Sequence, residues 1–263
     1  DNLKLFMRIK AFLKYHFLIA IILLSFRAHC QIVNMESDRI VNDTTGWAGT
    51  IKAGLSLAKD VATTNQFIGE THIQYKNKKS LYLIRANVNY TRAGGETFVS
   101  NNFLHLRHNY KLNTWLRWEE FTQFQQNKIT GIDLRYLLGT GPRFKLFQVK
   151  TMNMYIGTAI MYEYEVEKTD GNKQIIHENP RSSNYISFTY HPNENVKISH
   201  TSYYQTLFDF PKDHRISSQT DIEFKISKKL VYTLSYRILY DTSPALGIPT
   251  TTYGLESYIG WSF

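Results

Sequence analysis

The feature that most constrains this chain is a strict alternation of apolar and polar side chains, repeated in segment after segment from residue 46 to residue 263. In Tyr82–Tyr90 and in Leu230–Asp241, every second residue is apolar or aromatic. Successive side chains of a β-strand point to opposite faces, so a period of two predicts strands with one apolar and one polar face. Hardly any segment has helical periodicity. We therefore predict an all-β chain of about 12 strands.

The polar faces of these strands carry charges far from any turn, whereas aromatic side chains such as Tyr75, Tyr90 and Tyr190 lie near the predicted strand ends. A large soluble sandwich or a lipocalin-like barrel also has alternating strands. Charged mid-strand positions favour a polar lumen instead, and aromatic girdles with an even strand number are typical of bacterial membrane barrels. The sequence predicts a single transmembrane antiparallel β-barrel over residues 46–263, with its first and last strands paired.

The last strand of the chain ends in alternating aromatic residues, which would face lipid. This ending resembles the signal by which outer-membrane barrels are recognised for assembly, although Tyr258 stands where that signal usually has glycine. We interpret Tyr253, Trp261 and Phe263 as an assembly signal. The predicted partners are the barrel assembly machinery, outer-membrane lipids and lipopolysaccharide.

The first residues have the pattern of a secretory signal peptide. Met7–Lys14 is basic, Phe17–Phe26 is almost wholly apolar, and a small–x–small exit ends at Cys30. A membrane anchor would need roughly 20 apolar residues, and a lipoprotein reading of Cys30 is the weaker alternative. The prediction is a signal peptide over residues 1–30, including upstream residues before Met7, followed by a short periplasmic segment over residues 31–45 and export to the outer membrane.

The charge of the chain does not indicate nucleic-acid binding. The formal net charge is +9, but removing residues 1–30 leaves 26 basic and 21 acidic residues, a charge of +5. No basic helical stripe, zinc-finger spacing or RNA-binding aromatic motif accompanies it. Cleavage after the single cysteine, Cys30, would also leave no disulfide or metal–thiolate chemistry. We predict no nucleic-acid partner, no metal and no cofactor.

The connections between the predicted strands alternate in length. Those after odd-numbered strands include the long Glu167–Ser183 and Asp241–Thr251, whereas those after even-numbered strands are mostly short, as in Lys76–Lys79 and Ser227–Lys229. Long outer loops and short periplasmic turns are typical of outer-membrane barrels. Gly139–Pro142 is the least clear turn, and we expect a bulge of the sixth strand there.

Charged residues near the middle of the polar faces are predicted to line the narrowest part of the lumen. Their signs nearly balance, which favours cross-strand ion pairs that partly fill a narrow lumen. A strongly selective pore would carry a surplus of one sign. A conducting pore and a structural barrel both fit this pattern. The lumen-lining candidates are Arg85, Arg107, Arg117, Glu119, Asp133, Arg135, Glu163, Asp221, Glu223, Arg237 and Glu256.

An enzymatic barrel is the alternative. An outer-membrane phospholipase-like hydrolase needs a His–Ser pair at lipid level, and His200 and Ser202 share the lipid-facing side of one strand. The Ser-Asn-Gly run expected of such an enzyme is absent. The carboxylates at Glu163 and Glu165 could suit acid–base work, but a lumen charge ladder is the commoner use. We interpret the chain as non-enzymatic.

Four segments together resemble the salt-induced outer-membrane protein family, a YdiY-type β-barrel family with a domain of unknown function. The resemblance implies a twelve-stranded outer-membrane barrel and no assigned reaction. The function we expect is a narrow channel for small polar solutes or ions, or a structural and stress-related component of the envelope. The segments that carry the resemblance are Ile129–Arg143, Tyr203–Ser218, Leu230–Asp241 and Gly260–Phe263.

Overall fold

The computed structural model describes residues 45–59, 63–93, 96–127, 131–168, 174–245 and 248–262. The predicted signal peptide, almost all of the predicted periplasmic segment and Phe263 lie outside the described residues. Within the described ranges, no helix is long and apolar enough to cross a lipid bilayer.

In the part of the chain that the structure describes, twelve antiparallel strands form one sheet, and the first of them pairs with the last to close it into a barrel. The prediction of an all-β antiparallel barrel of about 12 strands is confirmed. Each strand pairs with its neighbours in sequence, as expected when antiparallel strands are joined by hairpins. The strands are β1 (Gly46–Lys59), β2 (Thr63–Lys76), β3 (Ser80–Ala93), β4 (Glu96–Lys111), β5 (Leu116–Asn127), β6 (Ile132–Gln148), β7 (Met152–Lys168), β8 (Gln174–Asn193), β9 (Val196–Leu207), β10 (His214–Lys225), β11 (Leu230–Asp241) and β12 (Thr251–Ser262).

The ladder between β1 and β12, which we call the seam, is shorter than the ladder between β1 and β2. Among the residues that the structure describes, Thr50 to Ala53 pair with β12, opposite Ile259 to Ser262, which makes four residue pairs. The other side of β1 forms fourteen residue pairs with β2. The barrel is therefore closed by a short ladder near the ends at which β1 begins and β12 finishes.

The two ends of the barrel differ in their connections. We call the end that holds the connections after even-numbered strands the turn end, and the opposite end the loop end. At the turn end, Asn77 Oδ1 accepts hydrogen bonds from the backbone nitrogens of Lys79 (3.0 Å) and Ser80 (2.7 Å), and Asn113 Oδ1 accepts from Leu116 (2.8 Å). Such side-chain caps stabilise tight turns.

At the loop end, most of the predicted Glu167–Ser183 loop is strand. β7 and β8 extend together, with Lys168 opposite Gln174. The prediction of a long loop there is wrong, because the polar residues of this segment lie on a hairpin whose β8 strand begins seven residues before the β8–β9 ladder starts at Arg181. The predicted loop Asp241–Thr251 does connect β11 to β12.

The predicted turn or bulge at Gly139–Pro142 is also wrong. β6 runs through it in unchanged register, and the register shifts lie instead at Ile132/Leu134 and Lys145/Phe147. The inward Gly139 lies across from Phe121, and a Cβ there would come within 2.3 Å of that ring. Glycine is therefore needed as space for an aromatic side chain of the neighbouring strand.

The outer face of the barrel is apolar and the inner face is polar. Large apolar residues are exposed on the outside, and aromatic rings meet near the strand ends, as with Trp47 and Tyr75 at the turn end (centroids 4.9 Å apart) and Phe124 and Tyr136 towards the loop end (4.9 Å). Most buried side chains are polar or charged. This distribution is the reverse of that in a soluble domain, where apolar side chains are buried and polar ones are exposed. A lipid environment around the barrel accounts for it.

Candidate functional site

Alternation along the strands directs three groups of charged side chains into the lumen. We name them by position and composition. The outer network lies towards the loop end, the aromatic network lies on β4 to β8, and the seam cluster lies beside the β1–β12 seam. The outer network comprises Arg135, Glu163, Glu165, Arg181, Asp213, Arg215 and Asp241; the aromatic network comprises Arg107, Arg117, Glu119, Arg143, Tyr155 and Tyr185; the seam cluster comprises Lys52, Glu70, Arg85, Arg237 and Glu256.

The outer network is centred on Glu163, whose side chain is 2% exposed. Arg215 Nη1 donates to both carboxylate oxygens of Glu163 at 2.9 Å, while its Nε donates to Asp241 at 2.8 Å. Arg181 Nη1 donates to Asp213 at 3.0 Å, and its Nε lies 3.4 Å from Glu163. One buried carboxylate thus holds two guanidinium groups, and each guanidinium also pairs with an acid nearer the loops.

A second pair in the outer network joins Arg135 and Glu165, with Arg215 Nη2 3.9 Å from the same carboxylate. The network therefore contains four carboxylates and three guanidinium groups. Beside it a cavity of about 220 Å³ opens at the loop end, with Leu239 and Pro244 among its walls. This vestibule has an acidic surplus.

The aromatic network compensates its arginines differently. Arg143 is fully buried, and its guanidinium carbon lies 3.9 Å from the centroid of the Tyr155 ring. Arg143 Nη1 donates to the Tyr185 hydroxyl at 2.8 Å, and that hydroxyl donates to Glu119 at 2.7 Å. Arg107 lies 3.7 Å from Glu119 and 5.4 Å from the Phe121 ring centroid. The arginines of this network are therefore stabilised by aromatic ring faces and by the Tyr185 hydroxyl in addition to one carboxylate.

A glycine makes room for this arrangement. Gly157 pairs directly with Tyr185 across the β7–β8 ladder. A Cβ at Gly157 would lie 2.2 Å from the Tyr185 ring, so the ring covers the backbone of β7. That position brings the Tyr185 hydroxyl within reach of both Glu119 and Arg143.

The seam cluster joins β1, β2 and β3 to β11 and β12. Glu70 lies 4.0 Å from Lys52 and 3.7 Å from Arg85, and it accepts a hydrogen bond from Asn87 at 3.2 Å. Across the seam, Arg237 pairs with Glu256. Tyr258 of β12 links the two sides, because its ring centroid lies 5.6 Å from Lys52 Nζ and its hydroxyl accepts a hydrogen bond from Arg237 at 3.2 Å.

The structure places most of the predicted lumen residues on the inner face. Asp221 accepts two hydrogen bonds from Gln219 (2.9 and 3.0 Å), Glu223 pairs with Lys197 at 2.8 Å, and Arg117 lies 5.5 Å from the Tyr155 ring centroid. These three lie outside the charged pairs of the outer network. Glu163 and Glu165, whose spacing could have suited acid–base work, are both paired with arginines.

Asp133 lies apart from the other predicted residues. The register shift between Ile132 and Leu134 turns the Ile132 side chain into the barrel, where it is buried, and leaves Asp133 partly exposed, 3.4 Å from the Gln174 amide at the loop end. The alternation across β6 is reversed there, so the prediction for Asp133 does not match its place in the structure.

Sequence reasoning missed two of the most buried lumen residues, Arg143 and Arg181. Arg143 follows the supposed turn at Gly139–Pro142, and Arg181 fell within the supposed Glu167–Ser183 loop. Continuing the odd-numbered positions of β6 and β8 through those segments would have found both. Among the described residues, no group of three or more His, Cys, Asp or Glu side chains is arranged to hold a metal ion.

A closed antiparallel barrel with an apolar outer face, aromatic strand ends and a charged lumen defines the class of outer-membrane β-barrels. Within that class, the chain belongs to the family described as Protein of unknown function, DUF481, whose model matches residues 51–263. The resemblance to a β-barrel family of unknown function is thereby confirmed. No curated protein sequence matches the chain significantly.

Solved structures of outer-membrane barrels resemble this barrel. The NanC porin superposes with a TM-score of 0.50 at 10% sequence identity, covering 81% of this chain and 98% of that chain. A bacterial polysaccharide outer membrane secretin gives 0.45 at 6% identity (83% and 98% covered), and the CymD monoaromatic hydrocarbon channel gives 0.43 at 9% identity (83% and 88% covered). At 10% identity the likeness to the NanC porin shows the fold alone.

Proposed function

We propose that the chain resides in the bacterial outer membrane with its loop end outward, and that its lumen is a narrow, low-conductance path for small polar solutes or ions with no covalent chemistry of its own. The observation that carries this proposal is the burial of charged side chains across the middle of the barrel. Arg143, Arg181 and Glu163 are 0%, 2% and 2% exposed. Passage of a solute therefore requires local rearrangement of the networks. The space that such a rearrangement opens admits small solutes only.

Charge in the two networks supports weak selectivity. The outer network has a surplus of carboxylates, whereas the aromatic network sets three guanidinium groups against one carboxylate, Glu119. A solute crossing the barrel meets first a negative and then a positive zone. Each zone repels one sign of ion, so small neutral or zwitterionic solutes meet the lowest barrier.

Single-channel recording in planar bilayers tests this proposal. The reconstituted parent is expected to give small, infrequent openings. Tyr185→Ala removes both the ring and the hydroxyl relay that hold Arg143, and it is expected to raise the conductance. Phe147→Ala, on the outer face, is the matched control and leaves conductance unchanged. Silence of parent and Tyr185→Ala alike, with both correctly folded, would contradict the channel.

A structural role in the envelope is the second candidate, favoured by the same complete burial of the networks. A barrel of this kind resists unfolding without conducting. Its signature is a silent bilayer recording together with membranes that leak or deform when the protein is deleted under osmotic stress.

We also propose that the barrel assembly machinery recognises the last strand, and that lipids and lipopolysaccharide surround the outer face. Tyr253 and Trp261 are 58% and 52% exposed on that face. Replacing Trp261 and Phe263 with serine is expected to reduce insertion into the outer membrane while export continues. Heat-modifiable folded protein in purified outer membranes measures insertion; an unchanged amount would remove the assembly signal from these residues.

A further inference from the structure

A polar cluster on the outer face of β9 and β10 has no part in the lumen. His200 and Ser202 lie on β9, directly opposite Thr220 and Ser218 of β10. Their neighbours on this face are apolar or aromatic, including Ile198 and Tyr204. Polar and ionisable side chains are costly in hydrocarbon and commonly mark a function there.

The hydrogen bonds connect the groups as nucleophile, base and orienting residue. His200 Nε2 lies 2.9 Å from Ser202 Oγ, and His200 Nδ1 lies 2.8 Å from Thr220 Oγ1. When Nδ1–H donates to Thr220, Nε2 is left to accept the Ser202 proton. That chain is the arrangement by which serine is activated for nucleophilic attack. Phe188 stacks on the imidazole at 5.4 Å and restricts its rotation.

A fourth group completes the arrangement. Ser218 Oγ lies 2.7 Å from Ser202 Oγ. A hydroxyl beside the nucleophile can donate to the oxygen of a carbonyl under attack, which is the task of an oxyanion-hole donor.

The depth of Ser202 fits an ester substrate. Ser202 is two residues from Tyr204, an aromatic residue close to the loop end of β9. Two residues of a strand span about 6.6 Å, or about 5 Å along the membrane normal for a strand tilted by about 40°. Ser202 therefore lies just inside the aromatic level, where the ester groups of membrane lipids join their acyl chains.

We propose that Ser202 and His200 are the nucleophile and base of a lipid acyl hydrolase on the outer face of the barrel, with an acyl ester of a membrane lipid as substrate. This activity goes beyond the channel and is independent of it. Thr220 is a positioning residue for the His200 ring, and Ser218 is the oxyanion donor.

The reaction proceeds in two steps. Ser202 Oγ bonds to the carbonyl carbon of the ester while His200 Nε2 takes its proton. The bond from that carbon to the alcohol oxygen then breaks, and the alcohol leaves with the proton from His200. Water hydrolyses the acyl-serine by the same route, which releases a fatty acid and restores Ser202.

The barrel contains a second His–Ser pair that serves as an internal control. Ser80 Oγ lies 3.2 Å from His108 Nε2, and His108 Nδ1 lies 3.5 Å from Glu120, at the turn end. The contact between His108 and Glu120 is at the distance limit of a hydrogen bond, and the Glu120 side chain is 62% exposed. We assign no activity to this pair.

The test uses the purified protein reconstituted into vesicles of phosphatidylethanolamine and phosphatidylglycerol, with lipopolysaccharide vesicles as a separate arm. Fatty-acid release is measured, and an alkyl fluorophosphonate probe is mapped by mass spectrometry. We expect the probe on Ser202, a loss of release of about a hundredfold or more in Ser202→Ala and His200→Asn, and about tenfold in Thr220→Val. Ser80→Ala keeps the parent rate. Release from either lipid supports the proposal and identifies the substrate.

Three results overturn the proposal, each judged on variants whose heat-modifiable mobility shows a folded barrel. They are an unlabelled Ser202 without fatty-acid release from either lipid, labelling of Ser80 instead, and release that persists in Ser202→Ala. Comparing Thr220→Val with Thr220→Ser separates positioning of the His200 ring from packing. Thr220→Ser keeps the hydroxyl and is expected to retain the parent rate.

Discussion

The outer network and the aromatic network bury arginines in the same lumen by different means. In the outer network each guanidinium faces a carboxylate, and Glu163 serves both Arg181 and Arg215. In the aromatic network, Arg107 and Arg143 depend on Glu119 as the nearby acid and on the rings of Tyr155, Tyr185 and Phe121.

The difference lies in how much depends on one residue. Losing one acid beside Arg181 or Arg215 leaves that arginine with another, because both contact Glu163 and each also pairs with a second carboxylate. In the aromatic network the rings supply attraction without charge, so Glu119 is the anion that its arginines share. Aromatic compensation thus packs the lumen tightly but concentrates its electrostatics on a single carboxylate.

Glu119→Gln is expected to have the largest effect. It removes the shared anion and leaves Arg107 and Arg143 buried with ring and hydroxyl partners, which lowers the free energy of unfolding by about 3–5 kcal/mol. Asp213→Asn is the matched change in the outer network and lowers it by about 1 kcal/mol, since Arg181 keeps Glu163 at 3.4 Å. Urea unfolding in detergent, followed by tryptophan fluorescence, measures both. Equal losses would abolish the distinction between the networks.

Gly157→Ala sharpens the comparison from the backbone side. The added methyl collides with the Tyr185 ring, so the ring moves and its hydroxyl relay is broken. Overpacking of this kind lowers stability by up to about 3 kcal/mol. Gly69→Ala is the control, because a Cβ there meets the Phe67 ring at 3.4 Å, an ordinary contact. Thermal unfolding of both variants decides; a stable Gly157→Ala would show that the ring has room.

Arg135→Ala tests the outer network directly. It takes from Glu165 its nearest partner and lowers the free energy of unfolding by about 1–3 kcal/mol if the lumen is a packed network. In a hydrated pore the same change mainly shifts ion selectivity. A variant that equals the parent in thermal unfolding, conductance and selectivity would show that Arg135 does neither.

Tyr155→Leu is expected to have the smallest effect. It keeps the apolar volume against Arg143 and removes the ring face at 3.9 Å, which is worth about 1 kcal/mol. Chemical unfolding compares it with Tyr155→Phe, which keeps the ring face and is expected to lose less stability. If Leu and Phe behave alike, the contact is packing alone.

Period-two alternation was enough to predict the barrel, because inner and outer faces demand opposite side chains on every strand. It also placed Glu119, Arg135 and Glu163 inside. It could not identify Arg143 as the centre of a network, since strand tilt brings together residues of β4, β5, β6, β7 and β8 that are far apart in sequence. The reversal at Ile132 and Asp133 depends on a bulge that no residue pattern marks. His200 and Ser202 were predicted on one face, but their link to Thr220 depends on the β9–β10 register.

The short seam, with four residue pairs in the described part of the chain, has a consequence for the order in which the barrel forms and opens. Ladder hydrogen bonds between all other strands join neighbours in sequence, so each hairpin can form locally. The β1–β12 ladder joins the two ends of the sheet and carries the largest loop-closure entropy for the fewest bonds. The barrel is thus a curved sheet closed by this short β1–β12 ladder, and the ladder forms last and opens first. While the ladder is open, the edges of β1 and β12 are exposed and can pair with another strand.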